Sequence, residues 1–142
     1  MSDREPYQPD NIFAKILRGE IPCYRVYEDD VALAFLDIMP QADGHTLVIP
    51  KLAVRGLPDM PVDSWGPFMQ RVQKVAKAIK VAMAAEGLNL RQFDGAAGGQ
   101  TVFHFHMHII PRWEGIALRR HGELNEKPEN LKATAEKIRA AF

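Results

Sequence analysis

Apolar positions along this 142-residue chain recur at two different periods. Short alternating or continuous apolar runs at Tyr24–Tyr27, Val31–Phe35, His45–Ile49, Leu88–Phe93 and Val102–Ile110 read as strands. Glu28-Asp29-Asp30 turns the first two into a hairpin, Pro50 stops the third and Pro111 the fifth. Phe68, Val72, Val75, Ile79 and Met83 recur at helical spacing. They mark the buried face of a long helix from Asp63 or Ser64 to about Glu86, ended by Gly87. Ile12, Phe13 and Ile16 form the stripe of a short helix capped by Asp10 or Asn11. Leu131, Ala135 and Ile138 mark a closing helix from about residue 129. The first nine residues read as a frayed arm, and 37–44, 51–62 and 112–126 as irregular connections. Strand meanders interrupted by one long helix predict an α+β fold with an antiparallel sheet, in a single domain over residues 1–142.

Composition narrows the function classes. The chain is 46% hydrophobic and 25% charged, as in ordinary globular proteins, and its 18 basic residues balance 18 acidic ones. A role coating a nucleic acid polymer is therefore not expected, while a small anionic ligand needs only local donors. Cys23 is the single cysteine, which rules out an internal disulfide and a cysteine-rich metal site and fits a reducing compartment. The start of the chain lacks the basic and apolar regions of a signal peptide, and no apolar run is long enough for a membrane span. A cytoplasmic protein is expected.

Candidate chemistry concentrates in His104-Phe105-His106-Met107-His108. On a strand, residues two apart share a face, so the three imidazoles would stand in a row with roughly 7 Å between neighbours. Phe105, Met107 and Ile109 would then point into a core. Two chemistries suit such a row. Two of the rings, with His45 or another ligand, can hold a metal; all three span roughly 14 Å, too far to reach one ion. Alternatively, a neutral imidazole can attack phosphorus while its neighbour donates to a phosphoryl oxygen. The loop entering the strand, Gly98-Gly99-Gln100-Thr101, offers glycine backbone and side-chain donors, which suit a phosphate ester better than a metal.

The run from Gly99 to Ile110 resembles the histidine triad signature, His-φ-His-φ-His-φ-φ, of the HIT superfamily of nucleotide hydrolases and transferases. Ile12-Phe13 with Ile16, Ala34 to Ile38, Pro40-Gln41 and His45 to Lys51 also resemble family segments in family order, so the likeness covers about residues 9–115. Residues 116–142 form a charged loop and helix beyond it. The resemblance implies a HIT-like fold: a five-stranded antiparallel sheet with one long and two short helices, usually in a two-fold homodimer. It implies that His106 attacks the α-phosphorus of a nucleotide and forms a nucleotidyl-histidine that water hydrolyses. His108 and His104 would stabilise the phosphoryl oxygens and orient the triad, and His45 would be an outlying fourth histidine touching the network. Thr101 would lie near the phosphate or leaving group with Gly99 and Gln100, Asp37 would grip the ribose, and Ile12, Phe13, Ile16, Phe35 and Ile38 would form the slot for the base. Ile12, Ile16 and Phe35 suit a plain core equally well. Some bacterial relatives carry a zinc-binding Cys-x-x-Cys where this chain has Asn11 and Ala14, and many carry a polar amide where it has Phe93. Arg112, Arg119 and Arg120 read as solvated surface that can meet a polyphosphate tail, and His121 has no assigned role.

The expected function is cleavage of a nucleoside monophosphate, AMP by preference, from a phosphoramidate or a dinucleoside polyphosphate, with no metal or other cofactor. The alternatives are a nucleotide-binding or scaffold protein with little turnover and, further off, a metalloprotein built on His104, His106 or His108.

Overall fold

The computed structural model describes residues 5–142. Five strands, β1 (Arg25–Glu28), β2 (Ala32–Leu36), β3 (Thr46–Pro50), β4 (Gly87–Arg91) and β5 (Met107–Arg112), form one antiparallel sheet in the order β1-β2-β3-β5-β4. The helices are α1 (Ile12–Leu17), α2 (Trp65–Ala82) and α3 (Pro128–Arg139). Three single-turn 3-10 segments, at Leu57–Asp59, Val62–Ser64 and Ala96–Gly98, punctuate stretches expected to be irregular. No helix among the described residues is long and apolar enough to cross a membrane.

Strand alternation splits the sheet into two apolar faces. Ala32, Ala34, Leu36, Val48 and Ile109 pack with the stripes of α2 and α3, where Phe105 lies fully buried against Phe68 and Trp65. Leu33, Phe35, Leu47 and Ile49 face the other way and pack with Phe13 of α1. The central strands β2 and β3 are buried throughout because both faces are covered. Cross-strand register then lays Phe35, Leu47, His108 and Arg91 side by side on the α1 face.

Of the two strand-ending prolines, Pro50 is the last residue of β3, whereas Pro111 lies inside β5. Pro50 pairs with Ala32, and Pro111 pairs with Leu88. The Arg112 carbonyl accepts from Glu86 N–H, so Arg112 points its backbone groups toward the β4 side and Pro111 points its nitrogen away from it. That side is open, since the pairing of β5 with β3 ends at Ile109.

The long helix stops at Ala82, four residues before the expected end. Ala84 N–H bonds to the Val81 carbonyl and Ala85 N–H to the Lys80 carbonyl, which is a Schellman closure with Ala84 at φ 47° in the position usually given to glycine. The Trp113 indole N–H adds a donor to the exposed carbonyls of Met83 and Ala84. Gly87 starts β4 rather than ending the helix. Replacing Ala84 by glycine removes a left-handed Cβ conflict, and the expected result is a gain of about 0.5–1 kcal/mol in a denaturant titration.

The amino-terminal arm differs from expectation too. Residues 1–4 lie outside the described residues. Beyond them, Glu5 pairs with Arg55 at 3.4 Å and the Tyr7 hydroxyl reaches His104, so the arm is tied down where the sequence reads as frayed.

Candidate active site

A cavity of about 460 Å³ opens on the α1 face, within the range of small-molecule and cofactor sites. Ile12, Phe13 and Ile16 of α1 form one wall, and Phe35, Leu47, His108 and Arg91 form the floor. Phe13 stands edge-on to Phe35 and to His106, with ring centroids 5.4 and 4.9 Å away. Asp37 and Ile38 continue the wall past the end of β2. Ile12 and Ile38 are about half exposed, so they line an opening rather than a core.

The triad is arranged differently from a row on one strand. Strand pairing begins at Met107, so His104 lies in a bend and His106 on an unpaired approach to the strand, where Phe105 N–H bonds to the Val54 carbonyl at 2.7 Å. His106 and His108 line the cavity with ring centroids 5.1 Å apart. His104 does not line it. Its ring turns to the Pro50 carbonyl and Tyr7, so its side chain is not a phosphoryl contact. His45 sits behind His108, fully buried.

Hydrogen-bond partners assign the tautomer of all four rings, because carbonyls only accept and amide N–H groups only donate. His104 Nε2–H donates to the Pro50 carbonyl at 2.9 Å, so its Nδ1 accepts from the Tyr7 hydroxyl at 2.6 Å. His106 Nδ1–H donates to the His104 carbonyl at 2.7 Å, which leaves Nε2 with a free lone pair. The Gln41 amide donates to His45 Nδ1 at 3.0 Å, so His45 Nε2–H donates to His108 Nδ1 at 2.9 Å. His108 then carries its proton on Nε2. The result is a bare nitrogen on His106 next to an N–H on His108. Burial disfavours charge on every member: it pushes His45 and His104 down to about 4 and His108 to about 3, and it lowers His106. The four rings are neutral at pH 7.

The β2–β3 loop builds this geometry. Asp37 N–H bonds to the His45 carbonyl and His45 N–H to the Ala42 carbonyl, closing the loop on itself. Gly44 permits that closure: its φ is +87°, and a Cβ there would lie 2.8 Å from Met83 Cγ. The closed loop brings the Gln41 amide onto His45 and sets the Asp37 carboxylate nearby. Asp37 Oδ1 accepts from Met39 N–H at 2.9 Å, and Oδ2 lies 3.3 Å from His121 Nε2 and 3.7 Å from His45 Nε2.

Asp37, His45 and His108 offer ligand atoms close enough for one metal ion. The tautomers argue against that use. With Nδ1 accepting from the Gln41 amide, His45 binds a metal through Nε2 only as an imidazolate or after breaking that bond. The Asn11 and Ala14 positions offer no ligands either: Asn11 Oδ1 caps α1 through Ala14 N–H, and Ala14 is a buried methyl.

The glycine loop also differs from its expected role. Gln100 is buried and does not line the cavity. Its Oε1 accepts from Gly95 N–H, and its Nε2 donates to the Arg55 and Val102 carbonyls. The backbone N–H groups of Gly98, Gly99 and Gln100 close on Gly95 and Ala96 carbonyls. The amide of Gln100 therefore pins the loop rather than meeting a ligand, because its polar atoms are already paired inside the protein. Gly99 and Thr101 do line the cavity.

Several cavity residues have no distinct mark in the sequence. Arg91 faces the site because register sets it opposite His108, whereas Arg112 bonds to Asn89 and Arg119 pairs with Asp43 and Glu126. Phe93 packs edge-on to His108, with ring centroids 5.5 Å apart. His121 reaches the cavity from the irregular segment before α3. Strand alternation on β4 signals Arg91 once the register is known; Tyr7 and His121 come from segments without periodicity. Tyr7→Phe removes the donor to His104 Nδ1 and leaves a part-buried acceptor unpaired. The expected loss is about 1–2 kcal/mol of stability, read as a shift of the urea midpoint at constant m.

Comparison with known proteins bears on the family and the fold. The family model described as HIT domain matches residues 18–115. Over 120 residues, 80% of this chain and 61% of the relative, the sequence is 42% identical to the protein named Adenylylsulfatase HINT3 of Arabidopsis thaliana. The chain thus spans less than two thirds of that relative. It is 36% identical over 137 residues to Adenosine 5'-monophosphoramidase hnt1 of Schizosaccharomyces pombe, covering 89% of this chain and 94% of that one. The crystal structure of a Hit-like protein from Bartonella henselae superposes with a TM-score of 0.90 at 52% identity, covering 96% of this chain and all of that one.

Proposed function

Because the chain belongs to the HIT domain family, we propose that it cleaves a nucleoside monophosphate from a nucleotide–X substrate through a covalent nucleotidyl-His106. The observation that carries the reading is the bond from His106 Nδ1–H to the His104 carbonyl, which aims a bare Nε2 at the cavity beside Phe13 and His108. Attack by Nε2 on the α-phosphorus makes the ring a phosphorylated imidazolium, and the His104 carbonyl is in place to accept from its Nδ1–H. His108 Nε2–H donates to the phosphoryl oxygen as charge builds there. When water attacks the phosphorus, the N–P electron pair returns to Nε2 and the starting tautomer is restored.

The apolar lining of Ile12, Phe13, Ile16, Phe35 and Ile38 takes the base, and the Asp37 carboxylate takes the ribose hydroxyls. The names of the Arabidopsis and fission-yeast relatives point to an adenylyl group, with an acid anion or an amine as X. The chemistry as drawn uses side chains and backbone alone. A two-fold dimer accompanies the reading. Strand β4 is a sheet edge with Leu90 about half exposed, the kind of edge that pairs with a second copy.

The test is intact-protein mass spectrometry after brief exposure to adenosine phosphoramidate or a diadenosine polyphosphate. The expected result is a mass gain of one adenylyl group and release of AMP. Bound AMP without adduct or turnover across the panel would leave a nucleotide-binding protein. The observation favouring that second reading is Phe93, an apolar ring against His108.

A further inference from the structure

The proposed reaction leaves its protons unassigned. A basic leaving group X needs a proton as the P–X bond breaks, and the attacking water must lose one. The buried histidines are poorly suited to either task. His106 Nδ1–H is held by a carbonyl, and His108 already accepts from His45, so full donation from its Nε2 would create an imidazolate. His121 is different. Its side chain lines the same cavity, is 39% exposed, and sits on the carboxylate of Asp37. Its ring centroid lies 6.1 Å from that of His108, with the planes perpendicular.

The carboxylate fixes the use of the ring. Asp37 Oδ2 only accepts, so His121 directs Nε2–H to it and keeps Nδ1 as the exchanging nitrogen. A carboxylate that orients one imidazole nitrogen and stabilises the imidazolium is the arrangement of a general acid–base pair. Asp37 keeps capacity for ribose: of about four lone-pair positions, Met39 N–H takes one and His121 another. The segment carrying His121 is clamped to the β2–β3 loop by Arg119 N–H on the Gln41 carbonyl and Glu126 N–H on the Ile38 carbonyl, both at 2.8 Å. It reaches the site from about 80 residues away in sequence, by hydrogen bonds to the loop that also holds Asp37 and His45.

We propose that His121, oriented by Asp37, is the acid and the base of the two half-reactions; the proposal rests on the nucleotidyl-His106 reading. In the first step the His121 ring starts as the imidazolium, protonated on both nitrogens; His106 Nε2 forms a bond to phosphorus, the P–X bond breaks, and X leaves with the proton of His121 Nδ1, so the ring becomes neutral. In the second step the oxygen of water bonds to phosphorus, its proton passes to His121 Nδ1, and the N–P pair returns to His106. Each turnover restores both rings. A weakly basic X, such as sulfate or a polyphosphate, leaves without that proton; the Nδ1 proton of His121 then passes to solvent before water attacks, and the dependence on His121 falls on the second step alone.

The experiment compares wild type with His121→Gln, using adenylyl sulfate and adenosine phosphoramidate, and follows X, AMP and the protein mass in one time course. With adenylyl sulfate the variant should release one equivalent of sulfate at the wild-type rate, then stall as the adenylyl adduct, with AMP release slowed about 10²-fold. With the phosphoramidate, adduct formation itself should slow by about the same factor. Variant AMP release within threefold of wild type, or equal slowing of both steps with both substrates, would overturn the proposal. Absence of any adduct in wild type with either substrate would instead overturn the nucleotidyl-His106 reading on which it depends.

Discussion

Replacing His106 by alanine should lower turnover of an adenylylated substrate by on the order of 10⁴-fold or more, the scale seen when a nucleophile that works as part of a unit is removed. Binding of AMP should change far less. The substitution takes away the Nε2 lone pair and the edge-on contact with Phe13, but it leaves the α1 wall, the floor residues and Asp37 in place. The His104 carbonyl loses its donor and can turn to water that enters the vacated space. Steady-state rates and AMP affinity by calorimetry, taken together, check the prediction. Retention of more than a tenth of the activity would remove His106 as nucleophile. Parallel loss of activity and AMP binding would show that the ring mainly shapes the pocket. His106→Gly with added imidazole sharpens the case: a nucleophile supplied from solution should restore turnover and give adenylyl-imidazole as a product.

Acid should unfold this protein earlier than its balanced charge alone would suggest. His45 and His104 titrate at about 4 and His108 at about 3 in the fold, while the same groups in an unfolded chain take up protons near 6.5. Burial is the first cause in each case, and for His45 it outweighs the attraction of Asp37. Between about pH 6.5 and 4 the unfolded chain binds more protons than the folded one, so stability falls as pH falls through that window and is level above it. For a single independent ring the loss by pH 5 is about 2 kcal/mol. His45 and His108 are in direct contact, so the combined loss is several kcal/mol rather than a simple multiple. Urea midpoints from pH 8 to pH 4.5 should be flat down to about pH 7 and then decline steeply. A midpoint unchanged between pH 7 and pH 5 would mean that the rings do not stay neutral in the fold.

The sequence was most legible where periodicity and burial coincide. Phe68, Val72, Val75 and Ile79 mark α2 because one helical stripe meets one sheet face. Phe105 and Ile109 read as core because they alternate with the histidines, and the structure buries both. The boundaries were less legible because their causes lie elsewhere in the chain. The extent of β5 depends on where β3 stops pairing, and the end of α2 depends on a left-handed alanine and an indole from residue 113. Within the site, the residue types in the triad were enough to bring His106 and His108 to one cavity, but not to show that His104 faces away. That orientation comes from the Pro50 carbonyl and from Tyr7, which belong to other segments. Gln100 misleads for a similar reason: an amide beside a glycine loop has the chemistry of a ligand contact, and only the position of the Gly95, Arg55 and Val102 backbone shows it to be occupied.

Three of the groups that fix the imidazole tautomers belong to the main chain: the Pro50 carbonyl, the His104 carbonyl and the Gln41 amide. Every residue has a carbonyl, and every residue but proline has an amide hydrogen. Side chains at positions 41 and 50 can therefore drift through long evolutionary divergence without altering which nitrogen attacks. The exception is sharp: proline at position 41 deletes the donor to His45 and releases the tautomers of His45 and His108 together. A lineage can thus replace much of the surrounding sequence and keep the same reactive nitrogen, provided the path of the backbone is inherited.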